Sequence, residues 1–313
     1  MLRGTSLVLL AFAAASASAQ NYPVKPIRIT TSGAGGGNDI KPRVISAGVT
    51  GPLGQPVIVD NRVGFVSAEV VAKAPPDGYT LLVAGSTHWL APYLYPSIPF
   101  DPVRDFAPVT MADRSPATIV VHPSVPAKSV KELIALAKAK PGQLNYASNV
   151  NGSPNHLAGE LFKYLAGVNI VRIAYKSAGQ ARSDVVSGEV QMQFPSAGSA
   201  MPYVKAGKLR ALGVGSKEPS VLAPGIPPIG ASLPGYEAAS IRAVFAPNGT
   251  PAAIVSRLNQ EMVRFLRSPD VKQKLLADST EAVGSTPEEL AATIKSEMPR
   301  MGKVIKAAGI RAE

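Results

Sequence analysis

The sequence predicts an α/β protein made of two units around a cleft, with mainly parallel sheets flanked by helices. Three observations carry the prediction. Short β-rich runs alternate with stretches of helical period, as when crossover helices join parallel strands. The alternation restarts midway at a fresh helix signal, Ser129-Val130-Lys131-Glu132. The last strand-like run, Ile241 to Ala246, is followed only by helical patterns, so it has no later sheet to join. A tail of that kind packs back on the first unit. The expected division is residues 20–121 with 241–313 as a discontinuous first domain and 122–240 as the second. A chain of 313 residues is long enough for two such cores. Two chain crossings between units make a hinge, and a cleft between α/β units is a natural ligand site.

The elements follow in order. Ile27 to Thr31 reads as a strand, followed by a glycine-rich turn and a helical stretch carrying Ile40, Val44 and Ile45. Pro56 to Asp60 and Tyr79 to Ala84 are strands on either side of a helix near Ala68 to Ala74 and the turn Pro75-Pro76-Asp77-Gly78. Pro108 to Met111 and Ala117 to Val121 are further strands. Ser129 and Glu132 form a capping box, in which both side chains satisfy orphan helix amides. That helix stops at Pro141-Gly142, and Leu144 to Ser148 is a strand. His156 to Ala166 places Leu157, Leu161, Phe162 and Leu165 on one side and ends at Gly167. Val168 to Tyr175, Val190 to Phe194 and Leu209 to Val214 complete a small sheet. Ala252 to Leu266 repeats apolar residues at helical spacing. Thr286-Pro287-Glu288-Glu289 starts the last helix, and Pro299 is expected to kink it.

Residues 1–19 read as a cleaved signal peptide. Arg3 supplies the charge, Leu7 to Ala15 the apolar run, and Ala17-Ser18-Ala19 the cleavage site. That run is too short to span a bilayer. The formal charge is +11, but the basic residues are scattered and form no block, so nucleic acid is not an expected partner. With no cysteine, thiol catalysis, thiolate metal sites and iron–sulfur clusters are excluded. An exported chain without disulfides fits a bacterial periplasm. His88, His122 and His156 are far apart and lack HExxH spacing, so no metal is expected.

The chemistry-bearing residues sit in strand-to-helix loops. Thr31 to Asp39 (TSGAGGGND) offers unobstructed backbone amides ahead of a helix N-terminus, which favours a carboxylate or phosphate. Gly33 and Gly35 start a dinucleotide fingerprint, but Asn38 stands at the third glycine position; no Gly-Lys-Ser/Thr follows either. Gly85-Ser86-Thr87-His88, Asn151-Gly152-Ser153-Pro154, Lys176-Ser177-Ala178-Gly179 and Pro195-Ser196-Ala197-Gly198 are similar loops. Together they suit a polar ligand held by backbone and short side chains. Ser153 and Asn155 equally read as helix caps. There is no GxSxG elbow and no paired nucleophile and base, so an enzyme is not expected.

Several segments carry a family resemblance: YPVKPIRI (22–29), GAGGGND (33–39), AKAPPDGYTLLV (72–83), AKPGQLNY (139–146), HLAGELF (156–162) and APNGTP (246–251). The chain resembles the Bug (TctC-like) family of periplasmic substrate-binding proteins of tripartite tricarboxylate transporters. The resemblance implies a Venus flytrap fold, the two-domain periplasmic-binding-protein architecture, closing on a small carboxylate without a cofactor. It implies membrane transporter components as partners and a monomeric protein; a ligand sensor presenting its closed form to a membrane receptor is the alternative. Carried onto matching positions, the ligand-binding residues are Gly35, Gly36, Asn38, Asp39, Ser86, Thr87 and His88 in one unit. Asn151, Gly152, Ser153, Ser177 and Ser196 face them from the other. The chain departs from the family pattern at Thr31-Ser32-Gly33, in a shortened stretch Val63 to Ser67, at Ser177 and at Pro195, where an acid is usual. That lost acid, with Lys41 and Lys176, favours an anionic ligand.

Overall fold

The computed structural model describes residues 22–32 and 37–312, with the backbone alone for 37–39. The signal-peptide segment and the candidate residues Gly35 and Gly36 lie outside the described residues.

The first part of the chain forms β1 (Ile27–Ser32), α1 (Gly37–Leu53), β2 (Val57–Arg62), α2 (Val66–Ala72), β3 (Thr80–Gly85), α3 (Thr87–Leu94) and β4 (Phe106–Pro116). The middle forms β5 (Thr118–Val121), α4 (Val130–Ala139), β6 (Asn145–Ser148), α5 (Pro154–Ala166), β7 (Val171–Ala174), α6 (Ala178–Ser187), β8 (Met192–Gln193), α7 (Ala197–Lys205) and β9 (Arg210–Val214). A short 3₁₀ turn, Ile229–Ala231, precedes β10 (Ala239–Pro247), α8 (Ala252–Leu266), α9 (Pro269–Ala277), β11 (Glu281–Ala282) and α10 (Pro287–Ala307).

These strands make two mixed sheets, in the orders β11-β4-β10-β3-β1-β2 and β7-β6-β8-β5-β9. Pairing is parallel where helices carry the chain between strands, at β2-β1-β3 and β7-β6-β8. β10 runs antiparallel to β3 and β4, and β5 antiparallel to β8 and β9. These strands are entered directly from the other sheet, with no helical crossover to restore the parallel sense. β4 reaches β5 through Ala117 alone.

The two crossings are stitched together. Ala117 N–H donates to the Ala238 carbonyl at 2.9 Å, Gly215 N–H to the Ala117 carbonyl at 2.7 Å, and Ala238 N–H to the Gly215 carbonyl at 2.9 Å. Only glycine fits at 215, because a Cβ there would stand 2.6 Å from the Ala238 carbonyl oxygen.

The core explains the local patterns. In β3, Leu81, Leu82 and Val83 are all buried because helices cover both faces of the sheet. α8 buries Ile254, Leu258, Met262 and Leu266, one stripe of a 3.6-residue period. One apolar cluster runs through both units, from Leu82, Trp89 and Phe245 to Leu133, Phe162 and Phe194, with Ile294, Met301 and Ile305 of α10 joining them. α10 packs on both α3 and α5. The Thr286 hydroxyl accepts the Glu289 N–H at 3.2 Å and the Glu289 carboxylate accepts the Thr286 N–H at 2.9 Å, the reciprocal box expected there. At the other box, Ser129 accepts from Glu132 N–H, but the Glu132 carboxylate reaches the Lys128 N–H instead. The last helix continues past Pro299 to Ala307. Pro299 and Lys295, whose carbonyl lies four residues back, are both exposed, so water can serve that carbonyl.

Candidate functional site

The site is best built from the helices that begin after strands. In α5, the Ser153 hydroxyl accepts the His156 N–H at 3.4 Å; in α6, the Ser177 hydroxyl accepts the Gln180 N–H at 3.2 Å. Both serines are working N-caps. Ser86 and Ser196 hold the same position at α3 and α7, yet neither hydroxyl caps its helix. The Ser196 hydroxyl donates instead to the Ser199 hydroxyl at 3.0 Å.

Ser86 and Ser196 line one cavity between the two sheets, of about 30 Å³, with Ser115, Asn155, Glu237 and Glu297. That volume holds a water or two. Glu297 accepts the Trp89 indole N–H at 2.9 Å. Its burial raises its carboxyl above the ordinary range, while the Trp89 hydrogen bond and Arg300 pull it back.

Thr87 and His88 begin α3 and line a different chamber. It measures about 470 Å³ and lies within the first unit, over the ends of β1 and β3. The His88 ring stacks on Phe100, 5.1 Å between centroids, and meets Phe106 edge-on at 4.7 Å. Burial pushes its pKa down to about 3, so the ring is neutral at physiological pH. Its Nε2 is buried without a hydrogen-bond partner among the described residues.

Asn151 and Gly152 belong to a loop fastened from behind. Arg172 donates to the Asn151 side-chain oxygen at 2.5 Å, the Asn149 carbonyl at 2.7 Å and the Ser148 hydroxyl at 2.6 Å. Gly152 has φ +71° and donates to His156 Nδ1 at 3.2 Å. A Cβ on it would press on Leu94 of α3 at 3.1 Å, so this loop rests against the first unit. Burial first, then the charge of Arg172, pushes the His156 pKa down to about 4. Asn38 and Asp39 sit in the first turn of α1. Lys41, one turn along α1, points inward to the Thr280 hydroxyl at 2.9 Å and to Asp278 at 3.6 Å. Its charge is therefore engaged internally, while Lys176 is exposed.

The candidates thus fall into separate groups. Ser86 and Ser196 meet at the interunit cavity, Thr87 and His88 in the aromatic chamber, and Asn151, Gly152 and Ser153 in the Arg172-held loop. Sequence reading missed Arg172 itself. It also missed Gln193, which is fully buried with both amide atoms unpartnered among the described residues, as are Asn149 Oδ1 and Arg182 Nε. A glutamine inside the apolar run Val190 to Phe194 was the available signal.

Comparison with known proteins fits this architecture. A family model described as the tripartite tricarboxylate transporter family receptor matches residues 42–310. Protein BugT of Bordetella pertussis is 34% identical over 305 residues, covering 95% of this chain and 94% of BugT. Among solved structures, R. palustris Rpa4515 with adipate is 34% identical with a TM-score of 0.74, covering 93% of this chain and 99% of that one. MatC from Rhodopseudomonas palustris with bound malate is 29% identical with a TM-score of 0.71, covering 91% and 100%. Receptors of this kind bind their solutes and do not transform them. By the span of the model match and the identity to BugT, the chain belongs to the tripartite tricarboxylate transporter receptor (TctC) family of solute-binding proteins.

Proposed function

We propose that this chain captures a small organic carboxylate between two units, one built on each sheet with the chain crossing near Ala117 and Ala238 rather than at 121 and 241, and delivers it to membrane components of a tripartite tricarboxylate transporter. It acts in the periplasm as a monomer, after cleavage near Ala19, without cofactor, metal or nucleic acid. The observation that carries the reading is the pair of uncapped helix starts, Ser86 on α3 and Ser196 on α7, lining one cavity from opposite units. Two helix N-termini without a side-chain cap suit an anion. The adipate and malate bound by the two R. palustris relatives give the same chemical class.

A cavity of about 30 Å³ is far below the ~300 Å³ or more of ordinary ligand pockets. Solute therefore enters when the units part about the stitched crossings, and a seated carboxylate favours the closed state. Glu237 and Glu297 line the same cavity and repel an anion placed against them, so the anionic head belongs at Ser86 and Ser196. Calorimetry with adipate, malate, citrate, aspartate and a neutral amide tests the reading. Binding of acids but not the amide is expected; binding of the amide alone would overturn it. Capture of transporter membrane subunits by the ligand-loaded protein, but not the empty one, tests delivery, and the first residue of the exported protein, expected to be Gln20, tests the export reading.

A further inference from the structure

The junction of β3 and α3 borders two neighbouring chambers: Ser86 lines the small interunit cavity, and Gly85, Thr87 and His88 line the chamber of about 470 Å³. Aromatic rings form the walls of the larger one. Phe65 meets Tyr95 edge-on at 4.7 Å and Phe100 edge-on at 5.6 Å, and His88 lies flat on Phe100. Leu82 and Ala68 add apolar surface, Ser32, Ser67 and Thr87 add hydroxyls, and among the described residues the lining holds no Lys, Arg, Asp or Glu.

Three arguments specify a guest. An apolar cavity of ~150 Å³ already accommodates a benzene ring, so this chamber takes a substituted one. Rings set edge-to-face offer further edges and faces to another ring. A second carboxylate placed inside would lose its water without gaining a cation, a prohibitive cost. The polar groups of the lining are uncharged. Ser32, Ser67 and Thr87 border the chamber beside the rings, and a hydroxyl on the guest's ring can hydrogen-bond among them.

We infer that the chamber is a subsite for a flat aromatic ring, so that the solute is an aryl monocarboxylate with its ring among Phe65, Tyr95, Phe100 and His88 and its carboxylate at the first turn of α3. The inference rests on the carboxylate reading above and narrows it.

Calorimetry on the purified protein with 4-hydroxybenzoate, benzoate, adipate and malate tests it. 4-Hydroxybenzoate should bind at least tenfold more tightly than either diacid and more tightly than benzoate. Ala68→Leu, which adds volume to the chamber, should weaken the aryl acids at least tenfold and change adipate less than threefold. Should that variant melt early, saturation-transfer NMR on the unaltered protein reads the same contact, as magnetisation passing to the ring protons of 4-hydroxybenzoate from protein aromatic groups. Diacids binding without aryl acids would overturn the inference and leave the carboxylate reading standing. Binding by neither class would remove both. Aryl binding unaffected by Ala68→Leu would place the ring elsewhere and overturn the inference.

Discussion

Four serines stand between a strand and the helix that follows it, and they divide into two kinds. Ser153 and Ser177 hold a helix amide with their hydroxyls. Ser86 and Ser196 do not, and they are the pair that lines the cavity between the units. Residue type and sequence position are the same in all four. What differs is whether the first turn of the helix is already satisfied. A capped turn contributes stability and has little left for a ligand. An uncapped one keeps its amides and its dipole available. In this chain the uncapped starts come one from each unit, so a single anion could engage both only in the closed form.

The most forceful way to break this comparison is to place a fixed negative charge at one uncapped start. Ser196→Asp keeps a good N-cap residue, so α7 should remain intact. A carboxylate there would oppose a bound anion by about 4 kcal/mol at 4 Å separation in partly screened surroundings. Calorimetry with whichever acid binds the unaltered protein should show at least a hundredfold loss, with the melting temperature unchanged or higher. Ser153→Asp, the same change at a capped start, should leave affinity within about threefold. If Ser196→Asp binds as well as the parent, the cavity between the units is not where the anion sits.

A second contrast concerns the histidines of these two loops. His88 and His156 are both buried, with pKa values pushed down to about 3 and about 4, chiefly by desolvation. In the unfolded chain each titrates near 6.5. Between those values the unfolded state binds more protons, so stability is complete above about pH 6.5 and is lost as the pH falls toward the folded values. At pH 4.5 each ring should cost about 2 kcal/mol relative to pH 7. His88→Phe, which keeps a ring among Phe100, Phe106 and Phe245, should remove roughly half of that acid sensitivity in urea unfolding at the two pH values. An unchanged pH dependence would mean that His88 is hydrated and that burial does not control it.

Sequence reading reached the architecture because periodicity and caps are local signals. The Ala252–Leu266 stripe, the Thr286 box and the Gly167 stop all depend on residues within one or two turns, and all three appear where expected. The antiparallel strands β10 and β5 were less legible, since their direction depends on entering from the other sheet rather than on their own residues. The helix Thr87–Leu94 is short and carries Pro92, so it has too weak a period to read from sequence, which shows its first residues, Thr87 and His88, only as the end of a loop. β11 has only two residues, too few to show alternation. At the site, short polar residues marked the right loops but not their uses. Lys41 counted as charge for a ligand until Thr280 and Asp278, far along the chain, proved to hold it. Arg172 and Gln193 gave no local signal of function, because what sets them apart is the company of β6 and its loop in one case and the lack of a partner in the other.

The subtlest prediction separates the two kinds of serine without adding charge. Ser153→Ala removes a cap hydrogen bond and should cost about 1 kcal/mol of stability, read as a lower urea midpoint with an unchanged slope. Ser86→Ala removes a hydroxyl that caps nothing, so it should cost less than about 0.5 kcal/mol. Affinity should show the opposite order. Losing one hydrogen bond to a charged carboxylate is worth ~1.5–3 kcal/mol, so Ser86→Ala and Ser196→Ala should each weaken carboxylate binding by roughly ten- to a hundredfold, whereas Ser153→Ala should not. Each variant thus acts as the other's control, since a general loosening of the protein would lower stability and affinity together. Stability loss at Ser86 without affinity loss would show that its hydroxyl serves the fold after all, and the distinction between capped and uncapped helix starts would then have no bearing on the ligand.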